Sequence, residues 1–130
     1  MDKVVRTGLE RVLVTIHSAG GVHRFDVEVA RTLDQQALGL MHRRSLGKNR
    51  GMIFPMNPPR YASFWMHETL IPLDIIFIRA DGRIERITAA RPRNDSPVLS
   101  GEPVAAVLEI RGGRAEELGI RAGDRVEWPR

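Results

Sequence analysis

The sequence predicts a mainly β fold, a compact sandwich or barrel of about eight short strands with one or two short helices. Most apolar residues occur in short runs that either alternate with polar residues or are apolar throughout, which is the pattern of strands. Glycine and proline separate these runs, with 12 glycines and 8 prolines in 130 residues, and both residues favour turns. One longer stretch combines helical spacing with a helix-start signal.

The chain begins with a predicted hairpin. Apolar and polar residues alternate over residues 9–17, and the Ser-Ala-Gly-Gly of residues 18–21 is a turn signal. Residues 23–29 alternate more regularly, with Phe25 and Val27 on one face. Two strands with one apolar and one polar face are typical of an antiparallel pair that is solvated on one side.

A short helix is predicted next, from residue 33 to about Arg43. Thr32 and Gln35 have the spacing of a capping box, in which both side chains accept hydrogen bonds from free amides at the helix start. Apolar residues then follow at helical spacing, namely Leu33, Ala37, Leu40 and Met41. Gly39 within this helix costs roughly 1 kcal/mol relative to alanine, which suggests close packing against a neighbour.

The middle of the chain contains two further predicted strands, over residues 51–54 and 61–66. Prolines cannot donate ladder hydrogen bonds, so residues 55–59 between them are predicted to form a loop. Residues 74–78 are apolar on both faces, as expected of a central strand.

The last third begins with a strong turn signal at Asp81 and Gly82, which leads into a strand over residues 83–87. Ile84 and Ile87 are three residues apart, and this break in the two-residue period suggests a β-bulge. The remaining predicted segments are a proline-rich loop over 91–103, a buried strand over 104–110, a helical turn over 114–118 and a final strand over 125–128.

Size and composition indicate a single soluble domain over residues 1–130, with a few flexible residues at the start. A chain of 130 residues matches the usual size of one domain. No run approaches the roughly 18 apolar residues that cross a bilayer, and the first residues lack the apolar core of a secretory signal. We therefore expect a monomer that is either cytoplasmic, or exported or periplasmic with its signal removed.

Charge and cysteine content narrow the classes of function. The chain has no cysteine, which excludes disulfides, thiolate metal sites and a cysteine nucleophile. Its pI of about 10.6 reflects arginine more than excess charge, because the net charge is +4. Acidic residues alternate with the arginines, whereas a nucleic-acid binder more often concentrates basic charge on one face. Nucleic acid is therefore a disfavoured partner.

Six short motifs along the chain point to one known family. They are Val27-Glu28-Val29-Ala30, Gly39-Leu40-Met41-His42-Arg43, Gly51-Met52-Ile53-Phe54, Phe64-Trp65-Met66-His67-Glu68-Thr69-Leu70-Ile71-Pro72-Leu73-Asp74, Val107-Leu108-Glu109 and Gly123-Asp124. In this order they resemble the family known as domain of unknown function 192, over residues 25–128. The resemblance implies a compact β-sandwich-like fold, often in exported proteins, and it implies no activity because none is assigned to the family.

The chain departs from the usual pattern of that family in two places. After the Trp-Met pair the family usually has lysine or arginine and then asparagine or aspartate, where this chain has His67 and Glu68. The family often has tyrosines in the region 98–106, where this chain has Val98 and Ala106. No ligand role is therefore carried over from the family at these positions.

The candidate binding residues are Trp65, His67, Glu68, Thr69 and Asp74, which lie within ten residues around a proline. We expect a cleft in which Trp65 forms an apolar wall while His67, Glu68 and Thr69 make polar contacts. The proline favours an extended conformation before it, so Thr69 and Asp74 are expected at one mouth between two strands.

The same segment also has a purely structural interpretation. In that interpretation Trp65 and Met66 belong to the core, and His67 and Glu68 are solvated. Asp74 then accepts amide hydrogen bonds within the turn, because buried polar groups are normally paired.

Glu109 and Arg43 are candidate structural polar residues. Glu109 lies in an otherwise apolar strand, where a carboxylate must be exposed at an edge or paired. An arginine can hold a carboxylate with two hydrogen bonds, so Arg43 is the predicted partner of Glu109. This pair would connect the helix to the sheet.

The sequence predicts no cofactor and no metal site. Its histidines, His17, His23, His42 and His67, lack the spacing of metal ligands. A three-dimensional site formed by His42, His67 and Asp74 stays open as an alternative.

Three functions remain in competition. A non-enzymatic domain that binds a small ligand or a partner is favoured. The second is a hydrolytic enzyme in which His67 acts as general base and Asp74 or Glu68 orients it. The third is a peptide-binding module, because residues 114–126 look like the closing half of a PDZ domain. The glycine-hydrophobic carboxylate-binding loop of such domains is missing from the sequence.

Overall fold

The structure is a computed structural model that describes residues 8–130. Nine strands and two short helices lie in this range, and strands make up 46% of these described residues, which confirms the predicted fold class. The strands are β1 (Arg11–Ser18), β2 (Gly21–Val29), β3 (Arg50–Arg60), β4 (Ser63–Phe64), β5 (Leu73–Ile78), β6 (Ile84–Ala90), β7 (Val98–Leu99), β8 (Val104–Arg111) and β9 (Arg125–Glu127), and the helices are α1 (Leu33–Leu38) and α2 (Arg114–Leu118). Neither helix of this range is long and apolar enough to cross a bilayer. The prediction of a few flexible residues at the start of the chain concerns residues outside the range 8–130.

Seven strands form one curled sheet in the order β6-β5-β8-β3-β2-β1-β9, and β4 pairs with β7 in a separate small sheet. The two ends of the large sheet approach each other, because Arg83 forms an isolated bridge with Arg125. The amide of Ile84 also donates to the carbonyl of Asp124 at 2.9 Å. The large sheet is therefore a half-barrel.

The predicted first hairpin is present. Strands β1 and β2 pair antiparallel, with Val14 opposite Phe25, and both side chains are fully buried. Strand β2 then pairs in parallel with β3. A parallel pair needs a crossover connection, which here contains α1.

Helix α1 begins as predicted and ends earlier than predicted. Thr32 Oγ1 accepts from the amide of Gln35 at 3.1 Å, and Gln35 Oε1 accepts from the amide of Thr32 at 3.1 Å, which completes the capping box. The helix ends at Leu38 because Gly39 adopts a φ of 50°, outside the helical region. The expected extension to Arg43 is therefore wrong.

The proline-rich segment 55–59 is part of β3, where a loop was expected. Pro55 pairs with Ala106 of β8, and Arg60 pairs with Val104, so the register shifts between these two pairs. Proline has no amide hydrogen to donate to a neighbouring strand, and the regular hydrogen-bonded ladder is interrupted over this stretch. The second expected strand, over residues 61–66, is reduced to the two residues of β4.

Strand β5 lies between β6 and β8, and all of its residues are buried, as predicted for a central strand. The predicted bulge is also present on β6: Phe77 pairs with Arg86 and Ile78 with Ile84. Glu85 is the extra residue that this register leaves over.

The two faces of the sheet carry separate core clusters. Ile76 and Leu108 belong to the cluster that includes Ala115 of α2. Ile75 and Val107, one residue away along the same strands, belong to the cluster beneath Leu40 and the segment 61–71. Side chains alternate along a strand, so the polar residues of β5 and β8 can be assigned to one face or the other.

Candidate ligand-binding site

A cavity of about 230 Å³ opens on the second face, between the turn that ends α1, the end of β3 and the segment 61–65. Its polar lining residues are Gln36, Arg60, Ser63, Thr69 and Glu109. An engineered cavity of about 150 Å³ admits benzene. This cavity therefore has room for a ligand with a single ring.

Aromatic side chains form much of the cavity wall, namely Phe54, Tyr61, Phe64 and Trp65. The rings of Phe54 and Phe64 meet edge to face, with centroids 4.9 Å apart and an interplanar angle of 83°. Tyr61 and Trp65 remain 68% and 51% exposed. Exposed apolar side chains grouped around a cavity, unlike isolated ones, are typical of binding sites.

Of the residues that the structure describes, Glu109 contributes the only carboxyl group of the cavity lining. On β8 it lies in register with Met52 of β3 and Ile75 of β5, and it is only 4% exposed. Burial raises the pKa of its carboxyl group to about 8, and no partner within residues 8–130 offsets that effect. The group is therefore mostly protonated at neutral pH, when it can donate one hydrogen bond.

The predicted pairing of Arg43 with Glu109 is wrong. Arg43 contacts both carboxylate oxygens of Glu28 on β2, and its Nη2 donates to Oε2 at 3.1 Å. Glu28 and Glu109 both lie opposite Met52, one on each side of β3. Three carboxylates at strand positions are buried, and only the strand order shows which one Arg43 reaches: Glu28, Asp74 and Glu109.

Trp65 and Thr69 line the cavity, whereas Met66, which the structural interpretation places in the core together with Trp65, does not. Met66 is a core residue, 1% exposed. Trp65 is half-exposed and lines the cavity instead. Thr69 is buried, and its Oγ1 donates to the carbonyl of His67 at 3.2 Å.

His67 and Glu68 lie beside the cavity, in an open depression that they form with His42, Leu70, Arg93 and Asp95. Nδ1 of His67 is 3.1 Å from Oδ1 of Asp95. Nε2 of His42 is 3.2 Å from Oε2 of Glu68. The His67 ring stacks on Trp65 with centroids 4.6 Å apart, so Trp65 separates the depression from the cavity.

Three residues of this depression have left-handed backbone conformations. The φ angles are 66° at His42, 48° at Glu68 and 60° at Arg93. Such a conformation costs a non-glycine residue of the order of 1–3 kcal/mol, and it persists where the surrounding structure fixes it. Here the amide of His42 donates to the carbonyl of Glu68, and the amide of Arg93 donates to the carbonyl of Thr69, each at 2.9 Å.

Asp74 lies on the opposite face of the sheet from Glu109. It shares that face with Ile76, and its carboxylate accepts from the amides of Gly113 at 3.1 Å and Ala115 at 2.9 Å. These amides belong to the start of α2, where a carboxylate stabilises the free amides. The expected mouth shared by Thr69 and Asp74 is therefore not formed, and Asp74 holds α2 against the sheet.

The residues considered for a metal site do not come together. His42 and His67 both approach Glu68, but Asp74 points to the other face of the sheet. Across residues 8–130, no group of three or more histidines and carboxylates could hold a metal ion.

Several residues of the site were not identified from the sequence. Tyr61 and Phe64 resemble ordinary strand residues in the pattern, and Asp95 lies in a proline-rich loop. Glu109 was singled out, but as half of an ion pair. The signal that could have placed it in a site is the number of carboxylates at buried strand positions, which exceeds what Arg43 can pair: Glu28, Asp74 and Glu109.

The fold and the cavity define a small half-barrel domain with an aromatic site, and comparison with known proteins assigns its family. The family model DUF192, described as uncharacterised, matches residues 14–128. The chain belongs to the DUF192 family. The comparison with curated proteins gives no match.

Two crystal structures are similar to this chain over nearly its whole length. A protein of unknown function from Novosphingobium aromaticivorans DSM 12444 is 48% identical, with a TM-score of 0.93, over 98% of this chain and 91% of that one. A protein described as a proposed transcription regulator, from Sinorhizobium meliloti 1021, is 36% identical, with a TM-score of 0.89, over 98% of both chains.

Proposed function

We propose that the protein is a non-enzymatic domain that binds a small ligand in the cavity beside Trp65. The observation that supports this proposal is the Glu109 carboxyl group, which is buried in the cavity lining without a partner among residues 8–130. A buried polar group without a hydrogen bond costs free energy, and a bound ligand can supply that bond. Aromatic walls with a few polar groups are the usual form of a small-molecule site.

The other candidate residues take separate roles in this proposal. Trp65 forms the wall between the cavity and the neighbouring depression, and Thr69 contributes to the buried part of the lining. His67 and Glu68 contact only the part of a ligand that extends past Trp65. Asp74 serves the fold through α2.

The two tryptophans of the chain provide a direct test by NMR. Trp65 lines this cavity, and Trp128 lies in a different part of the surface. A library of single-ring fragments is titrated into labelled protein while both indole N–H signals are followed. We expect a subset of fragments to shift the Trp65 signal and leave the Trp128 signal in place.

A variant with a filled cavity makes the same test decisive. Ala37 is exposed on α1 at the cavity wall, whereas Ala122 is exposed and does not line the cavity. We expect Ala37→Trp to abolish the binding of these fragments, and Ala122→Trp to preserve it. If no fragment shifts the Trp65 signal, or if Ala37→Trp binds fragments as wild type does, the proposal is wrong.

The hydrolytic alternative has one observation in its favour. Nδ1 of His67 lies 3.1 Å from Oδ1 of Asp95, an arrangement in which a carboxylate can orient a general base. The orienting residue in this version is Asp95, because Asp74 is bonded to α2. Hydrolysis of activated esters by wild type that is lost in His67→Ala would favour this alternative over simple binding.

Nucleic acid and peptide partners receive less support. Arginines across the surface pair with carboxylates, as in Arg11–Asp26, Arg31–Glu10, Arg79–Glu102 and Arg114–Glu117. Such pairing dilutes the basic charge that a nucleic-acid site concentrates. A peptide that adds a strand needs an open sheet edge, and the edge strands β6 and β9 approach each other.

A further inference from the structure

We infer that the ligand of the cavity carries an ammonium group, which pairs with the Glu109 carboxylate and contacts the aromatic wall. This inference rests on the proposed function, since it names the chemical class of the ligand of that site. It is carried by two independent features of the lining, its charge and its ring content.

The charge of the lining favours a cation. Among residues 8–130, two lining residues can carry a full charge: Arg60 is a cation, and Glu109 becomes an anion once its carboxyl group has lost its proton. Arg60 is exposed, and its Nη2 donates to Gln36 Oε1 at 3.2 Å, so water screens its charge. Glu109 is buried, and Arg43, once expected to be its partner, is bonded to Glu28. An ammonium group would supply the positive counter-charge for the Glu109 carboxylate.

The aromatic content favours the same class of ligand. Phe54, Tyr61, Phe64 and Trp65 surround the cavity, and the face of an aromatic ring attracts a cation. Aromatic cages are well known as sites for quaternary ammonium and methylated lysine groups. In the lining formed by residues 8–130, a carboxylate or phosphate ligand would find no cationic side chain in the buried part and no attraction from the ring faces.

Binding of an ammonium group should release a proton. In the free protein, burial raises the pKa of Glu109 to about 8, so the carboxyl group must lose its proton to solvent before it pairs with the cation. The charged side chains on the same face of the sheet include Arg60 at the mouth, the Arg43–Glu28 pair and Arg111, two residues along β8. The fraction of binding-competent, ionised protein then rises roughly tenfold per pH unit below pH 8, and apparent affinity rises with it.

Three probes with one ring and different charges test this inference: benzylammonium, benzyl alcohol and benzoate. Each is titrated into the full chain at pH 6, 7 and 8, while the Trp65 and Trp128 indole signals are followed. We expect benzylammonium to bind at least tenfold more tightly than the other two at pH 8. We also expect its affinity to rise between pH 6 and 7, while that of benzyl alcohol stays constant.

The variant Glu109→Gln keeps the shape of the side chain and removes its charge. We expect it to weaken benzylammonium binding at pH 8 at least tenfold and to change benzyl alcohol binding less than threefold. Glu116→Gln, an exposed change on α2, is the matched control and should behave as wild type.

The possible outcomes separate the inference from the proposed function. If benzyl alcohol or benzoate shifts the Trp65 signal with an affinity equal to that of benzylammonium, the cavity binds ligands but the ammonium inference is wrong. Benzylammonium binding that survives Glu109→Gln unchanged also overturns the inference. If none of the three probes, and no fragment of the wider library, shifts the Trp65 signal, the proposed function itself fails.

Discussion

Glu28 and Glu109 lie in one row of the sheet on either side of Met52, and Arg43 pairs with Glu28. Both carboxyl groups are at least nine-tenths buried. The two carboxyl groups therefore have different roles, one structural and one in the cavity. The pair formed by Arg43 connects the turn after α1 to β2, whereas Glu109 contributes its carboxyl group to the cavity.

The Arg43–Glu28 pair is expected to stabilise the fold. Arg43→Met removes the two hydrogen bonds that Arg43 donates to a buried carboxylate, a change that typically costs about 3–5 kcal/mol. Arg11→Met is the matched control, because Arg11 pairs with Asp26 of the same strand at an exposed position, where a pair is worth about 0.2–1 kcal/mol. Chemical denaturation measures both variants. Equal losses would show that the Arg43 pair behaves as a surface pair.

The pKa of Glu109 predicts how stability depends on pH. The pKa is raised from 4.5 to about 8 in the folded state, so the folded state holds a proton that the unfolded state has lost between these values. Its contribution to stability is complete below about pH 4.5 and decreases as the pH rises to 8, by up to about 1.4 kcal/mol per pH unit. Denaturation of wild type at a series of pH values measures this slope.

Glu109→Gln is the control for this pH dependence, because glutamine does not titrate. The difference in unfolding free energy between the variant and wild type should grow in favour of the variant from pH 5 to pH 8. A difference that stays constant over this range would mean that Glu109 has an ordinary pKa. In that case the binding of an ammonium ligand would no longer be expected to release a proton.

Features that depend on a few neighbouring residues were predicted well from the sequence. The Thr32–Gln35 capping box is present, because it depends only on residue type at a fixed spacing. The first hairpin and the bulge on β6 are also present. In each case the signal and the structure lie within the same short segment.

Features that depend on the order of strands could not be predicted. Asp74 and Glu109 are both acidic residues in apolar strands, but they point to opposite faces, which follows from the register of β5 against β8. The partner of Arg43 depends on the neighbours of β3. The exposure of Trp65 depends on how the segment 61–71 covers the sheet. These relationships join residues that are far apart in the chain, and no local pattern contains them.

Asp74 is expected to stabilise α2 without affecting the cavity. Asp74→Ala removes the carboxylate that accepts from the amides of Gly113 and Ala115, and we expect a loss of about 2–3 kcal/mol. Asp81→Ala is the control, since Asp81 accepts one amide bond in an exposed turn and should cost less than about 1 kcal/mol. Fragment binding at Trp65 should persist in folded Asp74→Ala. Loss of that binding would show that the two faces of the sheet are coupled.

Trp65 and His67 are expected to contribute to binding more than to stability. Truncation of a buried aromatic side chain costs about 3–5 kcal/mol, but Trp65 is 51% exposed, so we expect Trp65→Ala to cost about 1 kcal/mol. His67 is also partly exposed and stacks on Trp65, and His67→Ala should stay within about 0.5 kcal/mol of wild type. Phe25→Ala, on the other face of the sheet and fully buried, should show the full loss.

We expect Trp65→Ala to have a large effect on ligand affinity, although its effect on stability is small. Fragments that bind wild type should lose most of their affinity for Trp65→Ala, because the wall between the cavity and the depression is removed. His67→Ala should weaken only fragments that are long enough to pass Trp65, since His67 does not line the cavity itself. Fluorescence of Trp128→Phe, in which Trp65 is the remaining tryptophan of the chain, reports the same binding independently. A His67→Ala variant that unfolds would make His67 a structural residue, and unchanged affinity in Trp65→Ala would place the ligand elsewhere.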